Sequence, residues 1–245
     1  MSYISHSSIA YPKSTPSVLP LDLQSHCIGY WIPNGPGGKL YDFTKYQNHA
    51  TRSGAVAKAE NHGWIEYVDA TNDYFNAGAS TLFDDIPNLS FEVFWKYLGV
   101  GGFSEGRLFD KTQSLTLGKF ITVDSIRHRH VVYSFFTLTN GIWITENNTI
   151  VLNKWYHSIF SYNHTSVPNN VNIYVNGMNL TVTRESVPTG NYVSDVGKAL
   201  YFGNRSSTNI GLNGNIGLIR MYNKLLTQAD AKRLYKLDAW RFNLK

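Results

Sequence analysis

The stretch Val171-Asn172-Ile173-Tyr174-Val175-Asn176-Gly177-Met178-Asn179-Leu180-Thr181-Val182 constrains the fold more than any other part of the chain. Val171, Ile173 and Val175 recur at every second residue, the period of a strand with one buried face. Asn176-Gly177 then supplies two residues that tolerate positive φ, as a two-residue type I′ hairpin requires. The alternation returns in Leu89 to Tyr97, where Leu89, Phe91, Val93, Trp95 and Tyr97 share one face. Ser90, Glu92, Phe94 and Lys96 share the other, and Trp155 to Tyr162 is a further aromatic-rich run. From Cys27 onward turn residues separate such runs roughly every ten residues, which predicts an all-β sandwich or barrel. One helix is expected: Thr227-Gln228-Ala229-Asp230 is a capping-box-like start, and Ala231, Leu234 and Tyr235 follow at helical spacing before Asp238.

Length and composition agree with one such domain. Of 245 residues, 42% are apolar and 16% charged, so a packed core is expected rather than disorder. The net charge of +5 comes without a Lys/Arg cluster, so nucleic acid is not implied. The densest basic stretch, Arg127-His128-Arg129-His130, sits in an apparent strand and reads as a solvated face or as a phosphate or acidic-glycan patch. Cys27 is the single cysteine, which excludes an intramolecular disulfide and suits a small buried apolar residue. No leader of the charged-then-apolar kind and no apolar run of about 18 residues is visible, so the expectation is a chain made in the cytoplasm without membrane insertion. The sequons Asn163-His164-Thr165 and Asn179-Leu180-Thr181 carry no glycan in that setting.

Residues 1–26 differ from the rest. They are rich in Ser and Pro and hold no periodicity, so an extended N-terminal arm is expected ahead of a sandwich over 27–245. Such an arm is ordered either by its own sandwich or by a neighbouring molecule. Tyr3, Ile4, Ile9, Tyr11, Val18 and Leu19 are its candidate partner-binding residues.

Several segments, in order, resemble the laminin-G branch of the concanavalin A-like superfamily. Trp155-Tyr156-His157 opens a strand that leads to the Asn176-Gly177 hairpin, and Leu200-Tyr201-Phe202-Gly203-Asn204 follows. Gly214-Asn215-Ile216, Arg220-Met221-Tyr222-Asn223 and Leu226-Thr227 through Tyr235 then fit the family's last strand and helix. Upstream, Asp42 to Thr51 is similar to the family's Asn-His turn, and Asn72-Asp73-Tyr74-Phe75 and Leu89 to Trp95 to its next strands. The resemblance covers about residues 28 to 236. It implies a jelly-roll β-sandwich of two antiparallel sheets with one short C-terminal helix. In that setting Trp31, Trp95 and Trp155 are expected as core anchors, and His157 as a hydrogen-bonded structural histidine.

The same superfamily contains β-glucanase-type hydrolases, whose retaining members need two carboxylates about 5–5.5 Å apart. No Glu-x-Asp-x-x-Glu set is present, the acids are scattered, and Asp84-Asp85 before Ile86-Pro87 reads as a turn. No Gly-x-Ser-x-Gly elbow, His-Glu-x-x-His helix or phosphate-cradling glycine loop appears either. A non-catalytic protein is therefore expected. The resemblance implies calcium as the family's usual cofactor, yet Gly214-Asn215-Ile216-Gly217-Leu218 lacks both acids of the matching family segment. Asp42, Asp69 and Asp73 are the remaining candidate ligands, with capping of their own turns as the alternative. For glycan binding, Tyr133, Asn140, Trp143, Asn147 and Asn148, around a Val131–Ile150 hairpin, are the candidates; the other reading turns Tyr133 and Trp143 into the core.

An adhesive sandwich without leader or disulfide suits a particle assembled in a cytoplasm. Leu234-Tyr235-Lys236-Leu237-Asp238-Ala239-Trp240-Arg241-Phe242 is similar to the ending of stand-alone laminin-G-like proteins of phages and bacteria, with Asp-Ala in place of Asn-Pro. The expectation is a bacteriophage virion protein, a capsid decoration or fibre component on the virion surface. Its arm would hold a capsid or fibre protein, and its sandwich would meet surface glycans. A homo-oligomer is compatible with this. The alternatives are an extracellular bacterial adhesion protein and a divergent glycoside hydrolase.

Overall fold

Asn176 and Gly177 have φ of 50° and 77°, and Tyr174 pairs with Asn179 and Val175 with Met178, so the expected type I′ hairpin is present. A Cβ at Gly177 would lie 3.2 Å from Lys232 Cα, which shows how closely this turn packs on the C-terminal helix. The computed structural model describes residues 15–60, 63–69, 71–113, 117–124 and 129–244. Two antiparallel sheets make up most of it. In the first, Asn172–Val175, Trp155–Asn163, Asn88–Gly99 and Asn213–Tyr222 lie side by side. Cys27–Ile32 and Gly63–Asp69 share the far edge of Asn213–Tyr222, with Val56–Glu60 outermost.

The second sheet runs Lys39–Asp42, Ala50–Ser53, Tyr74–Gly78, Leu200–Phe202, Glu105–Gln113, Leu117–Asp124, Arg129–Ser134, Gly141–Thr145 and Val182–Ser186. Lys39–Asp42 also pairs with Cys27–Ile32 and so links the two sheets. Alternation sends Phe91, Val93 and Trp95 of one sheet and Phe109, Ile121, Val132 and Phe202 of the other into the shared core. Trp31 and Trp95 are fully buried there, and the Trp31 ring lies 4.9 Å from Phe202.

The opposite face of the first sheet is buried too. Helix Gln228–Asp238 begins with the expected capping box between Thr227 and Asp230 and lies over it. Phe94, Ile159, Tyr174, Leu218 and Tyr222 pack with Leu23, Leu226, Ala231, Leu234 and Phe242 in a second core. Trp155 joins this second core half-buried, 4.6 Å from Phe242. The last part of the expected arm belongs to this layer. Leu21–Gln24 forms a helical turn, Leu19 and Leu23 are buried, and Val18 stays 82% exposed. Of the extended arm expected over 1–26, Leu21–Gln24 is corrected to a helical turn, because Leu23 packs into this second core. Tyr3, Ile4, Ile9 and Tyr11 lie outside the described residues.

A buried ion network joins the layers. Arg220 donates to Glu92 Oε1 at 2.9 Å, to Tyr30 Oη at 2.6 Å and to Asp238. Tyr222 donates to Glu92 Oε2 at 2.8 Å, and His157 Nε2 lies 3.0 Å from Glu92 Oε1, so His157 has the structural role expected of it. Ser17 and Arg241 reach Asp238 Oδ1 at 2.6 and 2.7 Å, tying both ends of the described chain to the sheet.

His130 gives a pH dependence with a definite sign. Its ring is fully buried, 3.1 Å from Ser158 Oγ, among the rings of Trp95 and Phe160, and burial holds it at about 3 instead of 6.5. The unfolded chain therefore binds a proton that the folded one refuses. The stabilisation is complete above 6.5 and is lost as pH falls toward about 3. From pH 6.5 to 5 that amounts to roughly 2 kcal/mol. Glu66, which burial raises from 4.5 to about 7, has the opposite slope: its contribution is complete below about 4.5 and is lost as pH rises through about 7. The test is accordingly a difference: urea midpoints at pH 7 and 5 for the wild type and His130→Met. The variant should gain about 2 kcal/mol relative to the wild type on acidification, and parallel shifts would refute the assignment.

Candidate functional site

Strand alternation that buries Ile121 and Val132 turns Phe120 and Tyr133 to the outside of the second sheet. Their rings stack 4.4 Å apart at 20° and form the floor of an open groove of about 410 Å³. Phe135, Ile210 and Asn140 continue the lining, and Phe103, Glu105, Arg107 and Arg205 complete it.

Phe103 is 76% exposed and has φ 51°, in the left-handed region that costs a non-glycine residue about 1 kcal/mol. The preceding glycines hold it there. Gly102 N donates to Gly211 O at 3.0 Å, and a Cβ on Gly101 or Gly102 would collide with the backbone of Glu105 or Asn209. An aromatic ring is thus displayed over the groove on a closely packed loop.

The polar lining is partly committed. Arg107 lies with its guanidinium carbon 3.4 Å from the Phe120 ring centre, pairs with Asp110 at 3.2 Å and with Glu105 at 3.3 Å, and is lowered to about 10 by burial. It remains a cation at neutral pH. Burial raises the Asp110 carboxyl and the Tyr133 hydroxyl. The Asn140 side-chain oxygen accepts from Phe136 N at 3.3 Å, which leaves its amide N–H groups for the groove. Phe120 is 5% exposed between Tyr133 and Arg107, so the rings open to a ligand are Phe103 and Tyr133; with the Asn140 amide and the Arg205 guanidinium they can hold a ring that is apolar on its face and carries polar groups at its edge.

Only part of the expected glycan set is here. Tyr133 and Asn140 line the groove, whereas Trp143 is fully buried against Tyr162, ring centres 4.7 Å apart. That corrects its role as an exposed platform, because Val132 and Trp143 are opposed on the inward face. Asn147 and Asn148 are exposed in the turn at the other end of Gly141–Thr145, roughly 20 Å along the strand from Asn140. Phe103, Glu105, Arg107, Phe120, Phe135, Arg205 and Ile210 were not foreseen. Gly101-Gly102 before Phe103 was the available hint, since paired glycines mark a close backbone approach.

The expected calcium ligands do not form a site. Asp42 is 3% exposed, and its carboxylate accepts from Tyr30 N, Thr44 N, Thr44 Oγ1 and Asn48 N at 2.9–3.0 Å. Asp69 accepts from Thr71 N and Oγ1, and Asp73 from Asp69 N. Asp42 and Asp69 close their own turns, the Asp69 and Asp73 carboxyls lie together as a pair, and among the described residues no group of three His, Cys, Asp or Glu side chains is placed to hold a metal ion. The residues present do not fit calcium. The described half of the basic stretch is not an open patch. Arg129 is 8% exposed and paired with Asp124 and Glu185, His130 is buried, and Arg127 and His128 lie outside the described residues.

A family model described as the concanavalin A-like lectin/glucanases superfamily matches residues 69–232. No curated protein matches the chain. Among solved structures, the binding domain of Paraclostridial mosquitocidal protein 1 is 13% identical with a TM-score of 0.66, over 86% of this chain and 52% of that one. The ligand-binding domain of botulinum neurotoxin serotype D in complex with N-acetylneuraminic acid is 14% identical with a TM-score of 0.64, over 88% and 52%. A Trypanosoma rangeli sialidase mutant displaying trans-sialidase activity is 13% identical with a TM-score of 0.59, over 89% and 34%. The chain spans about half the length of the toxin domains and about a third of the sialidase.

Proposed function

The chain belongs to the concanavalin A-like lectin/glucanases superfamily, and from that premise we propose that it is a non-catalytic carbohydrate-binding module that holds a sugar in the Phe103–Tyr133 groove. The observation that carries this reading is the exposed Phe103 ring, which lines one groove with the stacked Phe120–Tyr133 pair and with Asn140. A pyranose offers apolar C–H faces to such rings and hydroxyls to such amides. Similarity in fold to a toxin domain solved with N-acetylneuraminic acid is consistent with it. So is the distribution of carboxylates. Glu105 is the one acid among the lining residues, whereas glycoside hydrolysis in its usual form requires two flanking the bond. Glu92 and Asp238 are both sealed beneath the helix on Arg220.

The test is a panel of immobilised oligosaccharides probed with the wild type and Phe103→Ala. Loss of an exposed stacking ring should weaken binding about threefold to tenfold. The melting temperature should stay the same, since the ring is exposed and alanine meets the same left-handed backbone. Equal binding by the variant would disprove the groove, and released reducing sugar would overturn the non-catalytic reading.

The wider reading, a bacteriophage capsid decoration or fibre component on the virion surface, is a proposal that rests on the sequence. The C-terminal segment that carries the likeness is structural here: Asp238 binds Arg220, and Phe242 stacks 4.7 Å from Phe94. Deleting residues 1–14 should abolish particle association and leave glycan binding intact. Undiminished association would remove the arm as the attachment.

A further inference from the structure

We infer that the groove selects glycans bearing an anionic group, a carboxylate or a sulfate ester, and that Arg205 is the residue that selects them; this rests on the carbohydrate-binding reading above. Arg205 is half-buried in the groove wall and positioned by its surroundings. Its backbone N donates to Asn204 Oδ1 at 2.9 Å, and Asn204 is itself fully buried with Nδ2 on Thr71 O at 2.8 Å. Its Nε donates to Asn209 Oδ1 at 2.7 Å, an oxygen that also takes the Ser207 hydroxyl at 3.1 Å.

That leaves both terminal nitrogens without a hydrogen-bond or ion-pair partner among the described residues. Arg107, in the same groove, differs: its charge is met by Asp110 and Glu105. A planar fork held by Nε and open at its end matches two oxygens of one anion, and the partly enclosed setting strengthens that pairing over the one it would make in water. Two carboxylates compete for Arg205: Asp110, buried and paired with Arg107 at 3.2 Å, attracts it through space, and Glu105 Oε2 takes Arg107 at 3.3 Å and Thr122 at 3.4 Å, so both charges are already opposed within the wall.

The experiment compares lactose, 3′-sialyllactose and 3′-sulfated lactose, together with uronate-bearing and neutral oligosaccharides, on the wild type, Arg205→Met, Arg205→Lys and Glu105→Gln. The wild type should prefer anionic members, and carboxylate against sulfate arms identify which source fits. Arg205→Met should lose about 10-fold to 100-fold of that affinity and lose clearly less for neutral members, so that the anionic-over-neutral preference collapses. Arg205→Lys should fall between, keeping the charge without the fork, and Glu105→Gln should tighten anionic binding by removing a like charge. Circular dichroism and melting temperature verify the fold of each variant. Equal affinity for neutral and anionic glycans, or an unaffected Arg205→Met, overturns the inference and leaves carbohydrate binding standing. Binding of no glycan at all overturns both.

Discussion

Arg220→Met is expected to lower the stability of the fold by about 3–5 kcal/mol, a large share of the roughly 5–15 kcal/mol available to a domain. The guanidinium is fully buried and pairs with Glu92 and Asp238, both also fully buried. Methionine would fill a similar volume, but it leaves two carboxylates in a dry layer without their shared cation. His157 and Tyr222 still reach Glu92, and Ser17 and Arg241 still reach Asp238, yet Arg241 at the layer's edge cannot take the place of a cation lying between the two acids. Equilibrium urea unfolding measures the loss, and a variant within about 1 kcal/mol of the wild type would refute the account. A triple variant, Arg220→Met with Glu92→Leu and Asp238→Leu, should recover much of it. The penalty belongs to unpaired charge, and apolar replacement of a whole buried network is often neutral or stabilising.

This network also marks where the sequence stops being legible. Alternation in Leu89 to Tyr97 identified the inner face correctly, because period two is a local property of a strand. It could not show that the other face would be covered as well. Glu92 looks like a solvent-facing acid until Gln228–Asp238 and Leu21–Gln24 close over it, and the helix that does most of this lies more than a hundred positions away. The C-terminal Asp-Ala that loosened the family likeness has a physical reason: Asp238 supplies a charge to Arg220 that asparagine would lack.

The groove was legible in part for a related reason. Tyr133 and Asn140 were recognised as aromatic and amide groups on one hairpin, and Trp143 was grouped with them because neighbours along a strand look alike in sequence. The structure separates them by face: Tyr133 opposes Ile142 on the outside, and Trp143 opposes Val132 inside. Phe103 and Arg205 come from loops about 100 residues apart, joined where Gly102 N meets Gly211 O, and no local pattern encodes that meeting. Register and loop contact, rather than propensity, assemble this site.

Asp195→Asn carries the other large expected effect, again about 3–5 kcal/mol. Lys111 and Lys119 point into the sandwich alongside Phe109 and Ile121, which is costly for any ammonium unless it is paired. Asp195, fully buried in the loop before Leu200–Phe202, pairs with both: Lys111 at 3.0 Å on Oδ1 and Lys119 on Oδ2. Asp85 N and the Tyr192 hydroxyl donate to the same carboxylate at 2.8 and 3.0 Å, and Asp195 N returns a bond to Asp85 at 2.8 Å. Asparagine keeps the shape and removes the charge. Lys111 retains Asp84 at 2.7 Å, but among the described residues Lys119 keeps only the Tyr192 hydroxyl and the through-space pull of Asp85. Adding Lys119→Met should therefore rescue much of the loss.

Acid gives an independent readout of the same carboxylate. Burial by itself would raise Asp195, but the two lysines outweigh it and hold the carboxyl at about 2 against the ordinary 3.8. The folded form therefore keeps the charge to lower pH than the unfolded chain does. Its stabilisation is complete above about pH 4 and disappears as pH falls through 2, a change of roughly 2 kcal/mol. Urea midpoints of the wild type between pH 4 and 2 should include that loss on top of the one from Glu92 and Asp238, which are also held low, and Asp195→Asn should lose about 2 kcal/mol less than the wild type over the same range. If the variant unfolds at the same urea concentration as the wild type at pH 7, and the two acid profiles coincide, the lysines are being satisfied by something other than Asp195.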